Sequence, residues 1–241
     1  MIETKLPPKP PLYPGLRVKF SAQALLNVAP FMADHDIRYY LNGIMVCPRA
    51  EGGVFVVGCD GHVMGIMADP TAHVEGLPEG GVIIRVSRGL LSAAAKRKSI
   101  MGTPCSVVLT ERRLSIAWDF DVEATDFETH VQAGNLFIEG KFPDWRKVLP
   151  DFTQLQRAVS DDFNGHLLAK FALPKSGDGR GFSSMRLWQR EKNASIVVQR
   201  TDVPEFIGVL MPMRDYDDID KSRAELAKKW PKAAPVEGGA K

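Results

Sequence analysis

The 241-residue sequence has little cysteine and no apolar run long enough to span a bilayer. Its three cysteines, Cys47, Cys59 and Cys105, are scattered, with no CxxC pair and no histidine doublet beside them. Neither a zinc site nor a disulfide framework is therefore expected, no cofactor is implied, and a reducing cytoplasm fits. The opening MIETKLPPKPPLYPG lacks the apolar stretch of a signal peptide, which argues against export. Charge of one sign is scarce as well, because 31 Lys and Arg against 29 Asp and Glu leave a formal net charge of +2. That excludes the global electrostatic signature of a nucleic-acid binder, so any contact with phosphates must come from local patches. The glycines of GLPEGG at Gly76–Gly81 are not followed by a Lys-Ser/Thr pair, so no nucleotide-cradling loop is expected.

Apolar material is ample. With 44% hydrophobic and 25% charged residues, the chain can build one large core or two modest domains. Residues 1–15 are proline-rich, and the stretch from Asp215, with DYDDID and the KAAPVEGGAK ending, lacks core composition; both read as peripheral. Between them one pattern recurs in three copies, a short strand running into a short helix and then two or three strands. The first copy holds RVKFS, a helix near Ala22–Ala33, IRYYLNGIMVC and GVFVVGCDGHVMGIM, with Pro30 expected to kink or shorten the helix. The second holds VIIRVS, a helix near Arg88–Lys98, PCSVVLT, RLSIAWDF and HVQAGNLFIEG, with a hairpin turn at Glu111–Arg113. The third holds LQRAVSD, a helix near Asn164–Leu173, FSSMRLWQR, SIVVQRTD and FIGVLMPMR. One helix on a small antiparallel sheet cannot bury its apolar face alone. The units are expected to pair helix beside helix across continuous sheets, an α+β architecture.

Four segments carry a family resemblance: ADHDIRYYLNG at Ala33–Gly43, CDGHVM at Cys59–Met64, GKFPDWRKVLP at Gly140–Pro150 and VLMPMR at Val209–Arg214. In that order they resemble parts of the bacterial sliding clamp, the β subunit of the replicative DNA polymerase III holoenzyme. These are the strand entry of its middle domain, its T-D-G-H-R-L turn, its G-[KR]-F-P-D-[YW]-x-x-V-L-P linker and its terminal V-x-M-P-M-R strand. The resemblance implies a DNA-clamp fold of one and a half clamp domains. Residues 1–15 form a Pro-rich segment, 16–150 a middle-like domain, 151–214 half of a C-terminal-like domain and 215–241 a charged tail, with no counterpart of the family's N-terminal domain. It further implies a cytoplasmic processivity factor of DNA replication or repair, without catalysis of its own. Such a homo-oligomer closes a ring around double-stranded DNA without reading its sequence. It tethers a DNA polymerase or other proteins bearing clamp-binding motifs, and a clamp loader places it on DNA. With three helices per chain, matching the family's ring of twelve implies a tetramer.

Matched residue by residue, the family's peptide pocket implies Leu41, Cys59, Gly61, His62, Val63, Met64, Pro143, Val148, Val209, Met211, Met213 and Arg214. Flexible, polarizable methionines suit varied partner side chains, Pro143 would fix one rim, and Arg214 could meet a carboxylate or carbonyl. Val148, Val209 and Met211 would equally suit strand residues packed under a sheet. Val63 stands where the family usually has arginine, which removes part of the polar rim. For DNA, Arg88, Ser92 and Lys96 share one face of the second helix, opposite Leu90, Leu91 and Ala94, with Arg97 at the margin. The third helix adds His166 and Lys170, with Lys175 beyond it, while the first offers Gln23 and Asn27 but no cation. The same residues would also make an ordinary solvated helix face, with cations favoured near the helix C-terminus.

Two other classes of function stay open. A non-ring adaptor or decoy would bind clamp-partner peptides without encircling DNA. A hydrolase would use Asp60 and His62, with His130 or His166 as a further partner, although a D-G-H step is expected to form a turn in which Asp caps the backbone and His is partly buried. In the tail, KSRAELAKKW at Lys221–Trp230 has helix-forming composition, and a disordered charged segment suits it as well.

Overall fold

The structure, a computed structural model, describes residues 13–96, 105–118, 127–150, 156–157, 163–175 and 184–213. Strand β1 (Arg17–Ser21) leads directly into α1 (Ala22–Val28), because the Ser21 hydroxyl accepts the Gln23 N–H and caps the helix. A single 3-10 turn at Ala29–Phe31, containing Pro30, follows. The helix expected to reach Ala33 thus stops at Val28, where the imide nitrogen of Pro30 cannot continue the ladder. The chain continues through β2 (Ile44–Pro48), β3 (Val54–Cys59), β4 (Val63–Asp69), β5 (His73–Glu75), β6 (Val82–Ile84) and α2 (Arg88–Lys96). Next come β7 (Cys105–Thr110), β8 (Arg113–Trp118), β9 (Phe127–Ala133), the short α3 (Trp145–Val148), β10 (Gln156–Arg157) and α4 (Gly165–Lys170). The series closes with β11 (Met185–Gln189), β12 (Ile196–Arg200) and β13 (Phe206–Leu210).

These strands form two antiparallel sheets. One has five strands in the order β5-β1-β7-β8-β9, and the other has eight in the order β10-β11-β12-β13-β4-β3-β2-β6. The continuous sheets expected across neighbouring units are present, and the units exchange strands to build them. β1 pairs with β7 of the second unit, while β6 of the second unit pairs with β2 of the first. The cause is the β1–α1 junction: the helix lifts the chain off one sheet, and the next strand finds its partners in the other. A correction concerns Ile37–Gly43, read as part of a strand. It is a loop with a 3-10 turn at Tyr39–Leu41, because Asn42 bonds both the N–H and the carbonyl of Asp36, and the Asp36 carboxylate accepts the Arg38 N–H.

Alternation along the eight-stranded sheet separates two cores. On the helix side lie Ile44, Val46, Val54, Val56, Val63, Val198, Phe206 and Leu210, packed with Leu25, Val28 and Phe31 and with Leu90 of α2. On the outer side lie Cys47, Val57, Cys59, Met64, Ile66, Ile83 and Val209, covered by Leu41, Ile138, Phe142 and Trp145. A row of three glycines in register crosses the helix side, with Gly58 opposite Gly65 and Gly65 opposite Gly208. A side chain at Gly65 would strike Phe31, and one at Gly208 would strike Phe171, which follows α4. The row is a trough that lets these rings approach the sheet closely, their centroids 5.0 Å apart and their planes tilted by 52°, with Phe206 at 5.6 Å from Phe31. Phe31, Phe171 and Phe206 are fully buried, and burying each side chain contributes about 1.5–3 kcal/mol.

Candidate functional site

The outer face of β3, β4 and β13 gathers five of the residues expected in a peptide pocket. Leu41, Cys59, Met64 and Val209 are buried in one cluster, and Val148 of α3 packs partly buried against it. Registers Cys59↔Met64 and Met64↔Val209 place three of them side by side. Met211 and Met213, 43% and 46% exposed, continue from this row into solvent, and Pro143 is half-buried on the linker leading to α3. Val63 differs. It is 2% exposed and belongs to the helix-side core, because one residue along a strand reverses the face. Arg214 lies outside the described residues.

The rim is the turn Asp60–Gly61–His62. Asp60 Oδ1 accepts the N–H groups of His62 and Val63 at 2.9 Å, and its other oxygen accepts Lys170 Nζ at 2.7 Å. Burial acts to raise the Asp60 pKa, but the bonds from Lys170, Val63 and His62 outweigh it and hold the carboxyl below its ordinary value. Gly61 occupies the left-handed region at φ 92°. The expected capping by Asp60 is present, whereas His62 is exposed rather than partly buried. The His62 carbonyl accepts the Met211 N–H at 3.0 Å, tying the end of β13 to the turn. Asp60 is thus engaged by three structural bonds, which tie up the carboxylate that the hydrolase reading would use.

Arg38 was not singled out from the sequence, yet its guanidinium lies against Gly61, close enough that a side chain there would collide with it. It donates to the Asp60 carbonyl at 3.1 Å and chelates Asp36, whose carboxyl it holds down at about 2. A cation therefore stands at the rim despite Val63. The sequence signal was the glycine of D-G-H, the one residue that leaves room for it.

The residues expected to face DNA are less uniformly available. Arg88 is exposed at the start of α2 but pairs with Asp34 at 2.9 Å. Ser92 is exposed opposite buried Leu90 and Ala94, as the helical spacing implied. The side chain of Lys96 and all of Arg97 lie outside the described residues. His166 is exposed at the start of α4, where Asn164 caps its N–H. Lys170 is half-buried in the ion pair with Asp60, so its charge is neutralised locally, a correction to its expected role facing phosphates. The side chain of Lys175 is exposed, while its backbone is held by Asn27 through a reciprocal pair of hydrogen bonds at 2.9 and 3.0 Å. Asn27, expected on an open inner face, is 1% exposed and stitches α1 to the segment after α4.

Among the described residues no group of three or more His, Cys, Asp or Glu could hold a metal ion, and no helix is long and apolar enough to cross a membrane.

No family model matches the chain. The beta sliding clamp of Escherichia coli strain K12 is 24% identical over 198 residues, 81% of this chain and 46% of that protein. The beta sliding clamp of the O157:H7 strain matches with the same figures. The chain therefore spans about half the length of these curated relatives. Among solved structures, a DNA polymerase sliding clamp from Pseudomonas aeruginosa with ligand superposes with a TM-score of 0.57 at 19% identity, over 89% of this chain and 70% of that one. A sliding clamp from Bartonella birtlesii bound to griselimycin gives 0.59 at 18% identity, over 88% and 70%. A Caulobacter crescentus sliding clamp gives 0.54 at 15% identity, over 88% and 68%. The α+β architecture is thus the clamp fold.

Proposed function

Since this chain is a relative of the DNA polymerase III beta sliding clamps and carries their fold, we propose that it is a clamp-like DNA replication accessory protein. It holds partner enzymes by short peptides docked on the outer face of its eight-stranded sheet. The observation that carries this reading is the convergence of Leu41, Cys59, Met64, Val148 and Val209 into one apolar cluster, continued by the exposed Met211 and Met213 and bounded by the Asp60–Gly61–His62 turn. Exposed methionines beside a preformed apolar floor can repack around different peptide side chains. The partners are then a DNA polymerase or other proteins with clamp-binding motifs, and the protein acts without a catalytic step.

Met211→Ala removes an exposed side chain, so it should weaken binding of a Leu- and Phe-containing synthetic peptide about 5–20-fold, equivalent to about 1–2 kcal/mol, while leaving the unfolding midpoint unchanged. Fluorescence anisotropy checks it. Absence of peptide binding to the wild-type protein at millimolar concentration would refute the reading.

A second reading adds a ring around duplex DNA, by helix count a tetramer. It is favoured by α1, α2 and α4 all packing against the same helix-side core, where one continuous surface could face the duplex. The solution mass with and without DNA, and retention on circular but not linear DNA, test it. A strict monomer under both conditions leaves the adaptor, which competes for partner peptides without encircling DNA.

A further inference from the structure

Beside the apolar cluster, the outer face of the eight-stranded sheet carries two guanidinium groups with few strong acceptors. Phe55 on β3 and Trp145 on α3 meet edge to face at 5.1 Å. The Arg146 guanidinium lies 4.2 Å from the Trp145 ring centre and 5.9 Å from that of Phe55, while the Arg49 guanidinium lies 5.3 Å from Phe55. Two cations therefore share one aromatic ring, an arrangement that like-charge repulsion opposes and an anion between them would relieve.

Neither arginine is saturated. Arg146 is exposed, and among the described residues it has no carboxylate partner, only a 3.9 Å contact to Cys47 Sγ. Arg49 has an 18% exposed side chain and reaches Glu51 at 3.6 Å and the Gly52 carbonyl at 3.3 Å, yet its Nε is buried with no acceptor. Trp145, 5% exposed, buries Nε1 with only the soft Cys47 thiol beside it, the same sulfur that Arg146 meets. Buried donors are normally satisfied, so the Arg49 Nε without an acceptor, beside a surface guanidinium whose hydrogen bond is a weak one to sulfur, marks a place short of strong acceptors. The place is continuous with the proposed docking face: Trp145 and Phe55 belong to the same cluster as Met64 and Val209, and Arg146 lies between Trp145 and Val148 on α3.

We propose that Arg49 and Arg146 form an anchor for carboxylate side chains flanking the apolar part of a docked peptide, so that this protein prefers partner segments with an acidic flank. The inference rests on the docking reading above and adds the charge of the peptide. A guanidinium fork matches a carboxylate in two parallel hydrogen bonds, and stacking on Phe55 and Trp145 holds both forks before the ligand arrives. A neutral flank would leave Arg146 without a carboxylate partner.

Three synthetic peptides with one Leu-Leu-Phe core test this: Asp-Asp before the core, Asp-Asp after it, and Asn-Asn on both sides, each titrated by fluorescence anisotropy at low salt. One of the two Asp peptides should bind the wild-type protein about 5–20-fold more tightly than the Asn peptide, and the difference should shrink as salt is raised. It should also fall at least threefold in Arg49→Gln and in Arg146→Gln. Equal binding of all three peptides would overturn the anchor while leaving apolar docking intact. A preference for Asp that persists undiminished in both variants would overturn its assignment to these arginines. If none of the peptides binds, the docking reading falls and the anchor with it. The wild-type comparison needs no variant, so a poorly folding arginine mutant does not shield the idea.

Discussion

Gly208→Ala probes how the third helical segment is seated. Gly208 is buried in the middle of β13, and a methyl group there would sit 2.2 Å from Phe171 Cε1 and 2.6 Å from Cδ1. Carbon atoms prefer a separation of about 3.5–4.0 Å, so the ring would have to retreat by more than about 1 Å. It has nowhere to go, since Phe171 is fully buried and Phe31 lies 5.0 Å from it. Overpacking of this kind costs about 1–3 kcal/mol, while replacing a strand glycine recovers about 0.5–1 kcal/mol of backbone entropy. The net expectation is a loss of about 1–2 kcal/mol. For a urea slope of about 2 kcal/mol/M this lowers the midpoint by about 0.5–1 M. Gly80→Ala is the control, because nothing lies within 4 Å of a side chain placed there, and it should change stability by less than about 0.5 kcal/mol. A Gly208→Ala protein as stable as the wild type would refute the trough as a packing device.

Asp60→Asn should cost about 1–2 kcal/mol at pH 7, because Lys170 loses its charged partner. Asp60 is held below its ordinary pKa, so its contribution is complete above the unfolded value near pH 4 and fades as pH falls through the folded value. Urea titrations at pH 7 and pH 3 should therefore show the wild-type advantage narrowing in acid, and a difference that stays constant would contradict the ion pair's role. Asn27→Ala strips the Lys175 backbone of both hydrogen bonds, at a cost of about 1–3 kcal/mol. Amide exchange over Gly165–Phe171 should accelerate, and unchanged exchange there would separate α4 docking from Asn27.

The sequence by itself determined the element types and one rim of the candidate site. Alternating and 3.6-residue patterns gave β3, β4, β12, β13 and α2, since the period of apolar residues is a local property of the chain. Chemistry read along a few bonds also held: Pro30 shortens α1, and Asp60 caps its own turn. The short helix α3 and the strand β5 were not legible, being four and three residues long and too brief for a period to register.

Tertiary structure decided everything that depends on which distant segments meet. Whether β1 pairs with β7 or with β2 is settled by how α1 turns the chain, and no window of sequence contains both partners. The glycines Gly58, Gly65 and Gly208 acquire a function only when register aligns them, Gly58 beneath the backbone at the end of α1 and the other two beneath aromatic rings. Lys170 and Asn27 carry the right chemistry for an open, polar face, yet Lys170 is paired because α4 brings it to the Asp60 turn, and Asn27 is buried where the segment after α4 docks on α1. Val63 and Met64 adjoin in sequence and were assigned together, but the pleat of a strand sends them to opposite cores.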